Sequence, residues 1–347
     1  MSKLCRVLTP AGLLIAMGTS ADPAPRALHL PIQQCEPSAL LHAHCPTHHP
    51  TCLWMADNEG NGLLFRVDLQ EPMTPEVTTV VMQRVDGSSV ETKDVEALAP
   101  LPGGRLLLLG SHSVKSDCGM PKKRDQFSVW STLTRTSQEV RWNNGWRCAT
   151  ALSGVSSPYR DAFCQAVDAA AAKATAIAGS AASEARKKEH CREVSGLNFE
   201  GAVTHGSAVW LAARAPLVDG KAVLLRMPVE PASGLPAMRF DQLKLLDLGG
   251  RGVRELSADG AVLWIVAGPP ADADTAFALF RMELKALDDA ALDVASPTFQ
   301  RTLPNGAEGL ARVVAGLWIA LDGDEMSAQC TEGKHRHLQL LDSTGPD

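Results

Sequence analysis

Apolar positions in this chain come in short runs separated by turn residues, and the runs recur. Asn198-Phe199-Glu200-Gly201-Ala202 precedes Trp210-Leu211-Ala212-Ala213. Gly252-Val253-Arg254-Glu255-Leu256 precedes Trp264-Ile265-Val266-Ala267, and Gly306-Ala307-Glu308-Gly309-Leu310 precedes Trp318-Ile319-Ala320-Leu321. The three tryptophans lie 54 residues apart, as do Glu200, Arg254 and Glu308. Asp94-Val95-Glu96-Ala97-Leu98 with Leu106 to Leu109 fits the same template, and Glu36-Pro37-Ser38-Ala39-Leu40 with a late Trp54 reads as a first copy. A third apolar run follows in each unit (Leu63 to Leu69, Gln126 to Leu133, Ala222 to Val229, Phe277 to Leu284, His337 to Leu341). A fourth follows in most (Val77 to Val85, Gln138 to Trp142, Leu243 to Leu248, Phe299 to Leu303). Short runs with regular turn residues such as Asp259-Gly260 and Pro102-Gly103-Gly104 predict strands rather than helices.

Four strands per unit at about 50 residues is the pattern of a β-propeller blade. The expected fold is therefore all-β, a β-propeller of five four-stranded blades, with six as the alternative. The last unit lacks a clear fourth strand, which Ala27 to Gln33 would supply, closing the ring. Between the second and third units lies a different segment, about residues 157–190. It is rich in Ala, Lys and Glu, with Phe163, Ala166, Val167, Ala170, Ala174 and Ile177 at helical spacing. It predicts an α-helical insert, with Gly179 and Ser180 placed to break it into a hairpin.

Residues 1–21 have the order of a secretory signal peptide: basic Lys3 and Arg6, the apolar run Val7 to Met17, then small Thr19 and Ala21 before Asp22. The expected mature chain, 22–347, is a single propeller domain with its insert, periplasmic or secreted. Its net charge changes from -6 to -8 on loss of Lys3 and Arg6, which argues against nucleic acid as a partner. No 18-residue apolar stretch predicts a membrane span. Loss of Cys5 leaves eight of the nine cysteines, an even number suited to disulfides in an oxidising compartment. Eight cysteines allow 105 pairings. The candidates are Cys45 with Cys52 across a short loop, Cys164 with Cys191 across the helical hairpin, and the remainder, Cys118 with Cys148 and Cys35 with Cys330.

The motifs carry a resemblance. They are Asp94 to Leu98 leading to Gly110-Ser111-His112-Ser113, and Asn198 to Gly201 leading to Arg214-Ala215-Pro216. To these add Asp247 to Arg254 leading to Ala267-Gly268-Pro269, then Glu308 to Ala311, and Trp54 to Glu59. The set resembles a family of bacterial exported β-propellers of unknown function, itself distantly similar to the esterase-like phytase propellers. The resemblance implies a propeller and an export route, and no established activity.

In a blade the first strand lines the central channel and the second runs antiparallel to it. The start of one and the end of the other therefore share a face of the ring. Glu96, Glu200, Arg254 and Glu308 begin first strands; Asp57, Glu59, His112, Arg214, Asp322 and Asp324 follow second strands. All are expected around one channel mouth. Carboxylates gathered there repel one another, and an oxygen-rich set would suit Ca²⁺. The expected metal ligands are Glu96, Glu200, Glu308, Asp57 and Asp322. Arg254, in the Glu position of its unit, is suited to pair with neighbouring carboxylates, and Arg214, Arg251 and Arg254 to hold the phosphate or carboxylate of a small anionic ligand. A metal-dependent phosphoesterase resembling the phytases would use Glu200 or His112 to orient water. The alternatives are a non-catalytic scaffold for a protein partner, and a ring in which Glu and Arg simply tie blades together. A monomer is expected.

His42, His44, His48 and His49 around Cys45 read as a disulfide-closed loop or as a transition-metal site. Gly249-Gly250-Arg251-Gly252 reads as a tight turn, and Lys334 to His337 as a solvated basic turn. Nucleophile-elbow, Walker, His-Glu-x-x-His and haem-attachment motifs are absent from the sequence.

Overall fold

The computed structural model describes residues 27–28, 30, 36–47, 51–58, 62–70, 74–90, 92–114, 118–119, 124–142, 146–192, 194, 196–271, 275–313, 316–322 and 337–341. The expected signal peptide, Cys35, Cys330, Glu59, Asp324, His48, His49 and 334–336 lie outside the described residues.

Five antiparallel sheets form five blades. Blade one is Pro37–Leu41, Cys52–Asp57, Leu63–Gln70 and Thr74–Val81. Blade two is Val95–Leu101, Arg105–Gly110, Gln126–Ser131 and Thr136–Arg141, and blade three Asn198–His205, Ala208–Ala215, Ala222–Pro228 and Gln242–Leu246. Blade four is Gly252–Asp259, Val262–Gly268, Ala278–Glu283 and Thr298–Thr302. Blade five is Ala307–Val313, Gly316–Leu321 and Leu338–Leu341, completed by Ala27–Leu28. Two short strands, Gln83–Arg84 and Val294–Ala295, add parallel edges to blades two and three. The first strand of each blade touches the first strands of its two neighbours, so these five strands form a closed inner ring around the channel.

The second strands explain the repeat. Leu53 and Met55 pack between blades five and one, whereas Trp54 and Ala56 pack between blades one and two. Leu106 and Leu108 face blade one, Leu107 and Leu109 blade three. A strand buried on both faces needs a continuous apolar run, which is why these positions read as runs and not as alternation. Each gap between neighbouring blades is one apolar cluster. Gly206 and Gly260 open two-residue hairpins between first and second strands with φ +59° and +57°, a conformation glycine takes without steric cost.

The insert consists of α1 (Cys148–Ala151), α2 (Arg160–Ala178) and α3 (Glu184–Arg192). Phe163 and Val167 of α2 join Trp142, Leu152 and Phe199 in the gap between blades two and three. Three disulfides are present among the described residues. Cys45–Cys52 is as expected. The other two differ: Cys148 bonds Cys164 and Cys118 bonds Cys191, not Cys164 with Cys191 and Cys118 with Cys148. The reason is that the bridges anchor the helices to what surrounds them rather than to each other. Cys164 near the start of α2 meets α1, and Cys191 near the end of α3 meets the loop after blade two's second strand.

Candidate functional site

Each first strand carries a β-bulge at the same place. In the pairing of first and second strands the register skips Ser38, Glu96, Glu200, Arg254 and Glu308, one residue per blade. A bulge leaves its extra residue outside the ladder and re-aims the side chain. The polar residue of every repeat is therefore the bulged residue, and all five are at most 6% exposed. Arg214, at the end of blade three's second strand, is also skipped, between the Asn198–Ala215 and Phe199–Ala213 pairs, one pair away from Glu200.

Arg254 is the hub. Its Nη1 donates to Glu308 Oε1 and lies 3.2 Å from Glu200 Oε2, bridging blades three, four and five. Its guanidinium carbon stands 5.0 Å from the centre of the Phe277 ring, a cation–π contact. Arg214 Nη1 donates to Glu200 Oε1 at 3.0 Å, Asn198 Nδ2 donates to the same oxygen at 2.6 Å, and Arg214 Nε donates to the Pro269 carbonyl at 3.0 Å. Ser38 Oγ donates to the Val95 carbonyl, tying blade one to blade two. Several groups of the ring are unmatched among the described residues, Glu200 Oε2 and Asn198 Oδ1 among them. Arg254 Nε and Nη2 have no acceptor, and no donor hydrogen-bonds the Glu96 carboxyl.

Burial pushes the Glu96 carboxyl well above the ordinary carboxylate range, helped by the charges of Asp94, Glu200 and Glu308. Burial also raises Glu308, with Arg254 opposing. For Arg214, burial pulls the pKa down, but Glu200, Glu308 and Glu96 outweigh it and hold the guanidinium above its usual value.

The metal expectation meets a different arrangement. Arg254 sits between Glu200 and Glu308 and supplies the positive charge there. Among the described residues no three His, Cys, Asp or Glu side chains gather closely enough to hold a metal ion. Asp57 accepts the Glu36 N–H at 3.0 Å, and Asp322 lies near enough to raise Glu308 electrostatically.

His112 does not take the role expected of it. Its Nδ1 donates to the Gly110 carbonyl at 2.9 Å and its Nε2 accepts the Trp142 indole N–H at 2.9 Å, so neither nitrogen is left for water. Phe127, Trp142, Trp146 and Phe199 surround the ring. Burial lowers its pKa to about 4. Arg251 is likewise elsewhere: it donates to the carbonyls of Leu248 and Ala276 and fastens the loop entering blade four.

Glu255 is the residue that sequence reasoning passed over. It follows the blade-four bulge, where the other blades have Ala39, Ala97, Gly201 and Gly309. Its carboxylate accepts the N–H of Leu256 at 2.8 Å and of Leu40 at 3.3 Å, and also that of Ala202. Those donors belong to blades four, one and three, so the carboxylate reaches across the channel. Inner strands are sheet edges whose N–H groups lack ladder partners, and here a carboxylate takes up three of them. Burial raises Glu255 well above its usual range, against these three hydrogen bonds. One glutamate among four small residues was the available signal.

Residues 190–310 match the model of a family described as a protein of unknown function, DUF3616. No curated protein matches the chain. Among solved structures, Bacteroides ovatus xyloglucan PUL GH43B aligns at 8% identity with a TM-score of 0.43, over 94% of this chain and 55% of that one. Drosophila Semaphorin 1a, extracellular domains 1–2, aligns at 9% identity with a TM-score of 0.35, over 77% and 57%. The chain thus spans little more than half the length of either. No helix among the described residues is long and apolar enough to cross a membrane.

Proposed function

We propose that this protein is an exported binding module whose bulge-lined channel mouth takes a small anionic ligand, such as a phosphate or carboxylate. The observation that carries the reading is Arg254. It is 1% exposed, already bridges two carboxylates, and still has two donors without acceptors. Unmatched buried donors cost about 1–3 kcal/mol each, a cost that an anion or ordered water removes. The unmatched Glu96 carboxyl gives the finer form of the proposal, in which a divalent cation, Ca²⁺ by its oxygen chemistry, bridges the ligand to Glu96. Export, to periplasm or medium, is supported by three disulfides and by the basic, apolar, small order of residues 1–21. Binding is favoured over phosphoester hydrolysis because His112 is sealed and the Glu200 carboxylate is already held by Asn198, Arg214 and Arg254.

The test is thermal unfolding and calorimetry with inorganic phosphate and with citrate, each with Ca²⁺ and with chelator. A ligand at 100 times its Kd stabilises by about 2.7 kcal/mol. Arg254→Lys keeps the charge but loses the forked donors, and should fold and lose the effect. No shift under any condition, or a shift unchanged in Arg254→Lys, would remove the reading. Added Ca²⁺ that changes neither anion's affinity would remove the cation alone.

A further inference from the structure

The channel has a second mouth, where the first strands end. A cavity of about 150 Å³ opens there, and all five first strands or their immediate ends line it. Its walls include Leu41, Val203 and Leu256, with Ser257, Asp259 and Arg312 among its polar groups. Ala202 and Leu256, which line it, also donate their N–H groups to Glu255, so that carboxylate spans the channel directly behind the cavity.

Three observations fix the chemistry. The volume is that of a cavity holding one benzene-sized molecule, about 150 Å³. Ser257 is 9% exposed, and among the described residues nothing hydrogen-bonds its hydroxyl. Arg312, from blade five, stands at the rim with Nε 3.1 Å from Asp259 Oδ2 in a half-exposed ion pair, and its Nη1 and Nη2 have no partner among the described residues. A guanidinium held by one edge presents its other donors as a fork suited to a carboxylate.

We propose that this mouth is a second binding site, for a small carboxylate whose apolar body is about the size of one six-membered ring. The body lies against Leu41, Val203 and Leu256; the carboxylate takes the Arg312 fork and the Ser257 hydroxyl. The site is independent of the arginine–carboxylate ring at the other mouth.

The experiment is saturation-transfer NMR and calorimetry on the full chain with benzoate, benzyl alcohol and benzylamine. These three probes share a body and differ in charge. Benzoate should bind saturably, at least tenfold tighter than benzyl alcohol, with benzylamine weakest. Arg312→Gln, at a half-exposed position, should weaken benzoate about tenfold and leave benzyl alcohol unchanged. Ser257→Phe should fill the cavity and abolish both. Benzylamine binding as well as benzoate, or benzoate binding unaltered by Arg312→Gln, would overturn the proposal.

Discussion

Replacing Arg254 with Gln should cost about 4 kcal/mol near pH 8. Arg254 and both its carboxylate partners are at most 5% exposed. Removing one member of a buried ion pair costs about 3–5 kcal/mol, because the remaining charge stays buried without compensation. Here two carboxylates, Glu200 and Glu308, lose one cation together, while Arg214 still serves Glu200. The Phe277 contact adds up to about 1 kcal/mol. The loss should depend on pH with a definite sign. Glu308 is already raised by burial, and Arg254 is the group that opposes that rise. Without it the folded-state pKa climbs further above the ordinary 4.5. A carboxyl raised in the folded state contributes stability that is present below its unfolded pKa and lost as pH rises through its folded pKa. The variant's deficit should therefore be small near pH 4.5 and grow toward pH 8. Urea unfolding followed by tryptophan fluorescence at pH 5 and pH 8 measures both deficits. Adding Glu308→Gln should recover about half of the pH 8 loss as a coupling energy. A deficit below about 1 kcal/mol at pH 8, or equal deficits at the two pH values, would refute the hub assignment.

Trp142→Ala should move the His112 pKa up from about 4 toward 6.5, read from the imidazole proton shifts, since removing the indole opens the aromatic cage whose burial of the ring depresses it. With the pKa depressed in the fold, wild type should lose stability as pH falls from 6.5 through about 4, and the variant should lose less over that window. Gly309→Ala should cost about 1–3 kcal/mol by overpacking. The new Cβ would stand 2.8 Å from Ala320 Cβ and 2.9 Å from the Leu40 Cβ and backbone N, and urea midpoints report the cost. Removing Cys118–Cys191, with its 73-residue separation, should destabilise by about 4 kcal/mol, against about 3 for Cys148–Cys164 at 16 residues. Equal losses would mean that chain entropy is not what these bridges control.

The blade architecture was legible because it is written locally and repeated. Trp210, Trp264 and Trp318 sit at one position of successive second strands, and even the closing strand near Ala27 could be placed by noting what the last unit lacked. The converging polar positions were legible for the same reason, since Glu96, Glu200, Arg254 and Glu308 share a place in the repeat. That this place is a bulge was not, because a bulge leaves no residue type behind it. His112 was misread because what encloses it lies outside the repeat: Trp142 and Trp146 follow blade two, and Phe199 comes from blade three. The disulfide pairing was hidden similarly, since four cysteines flank the insert and separation alone does not say which helix end meets which loop. Glu255 was overlooked because its partners are backbone N–H groups of three blades, which no sequence pattern names.

The ring is fastened where blade five takes its outer strand from near the start of the chain. Ala27 pairs with Gln339 and Leu28 with Leu338, and the Leu30 N–H reaches His337 Nδ1 at 3.1 Å. Among the described residues, two register pairs hold this strand, against seven in the inner hairpin of blade three. Cutting this clasp would unpair the outer edge of blade five and take Leu28 and Leu30 out of the apolar gap between blades five and one. The clasp lies on the outer edge of blade five, the blade whose inner bulge carries Glu308. Loosening there would reach the outer edge of blade five first, while the Arg254 bridges that tie blades three, four and five lie on the channel side.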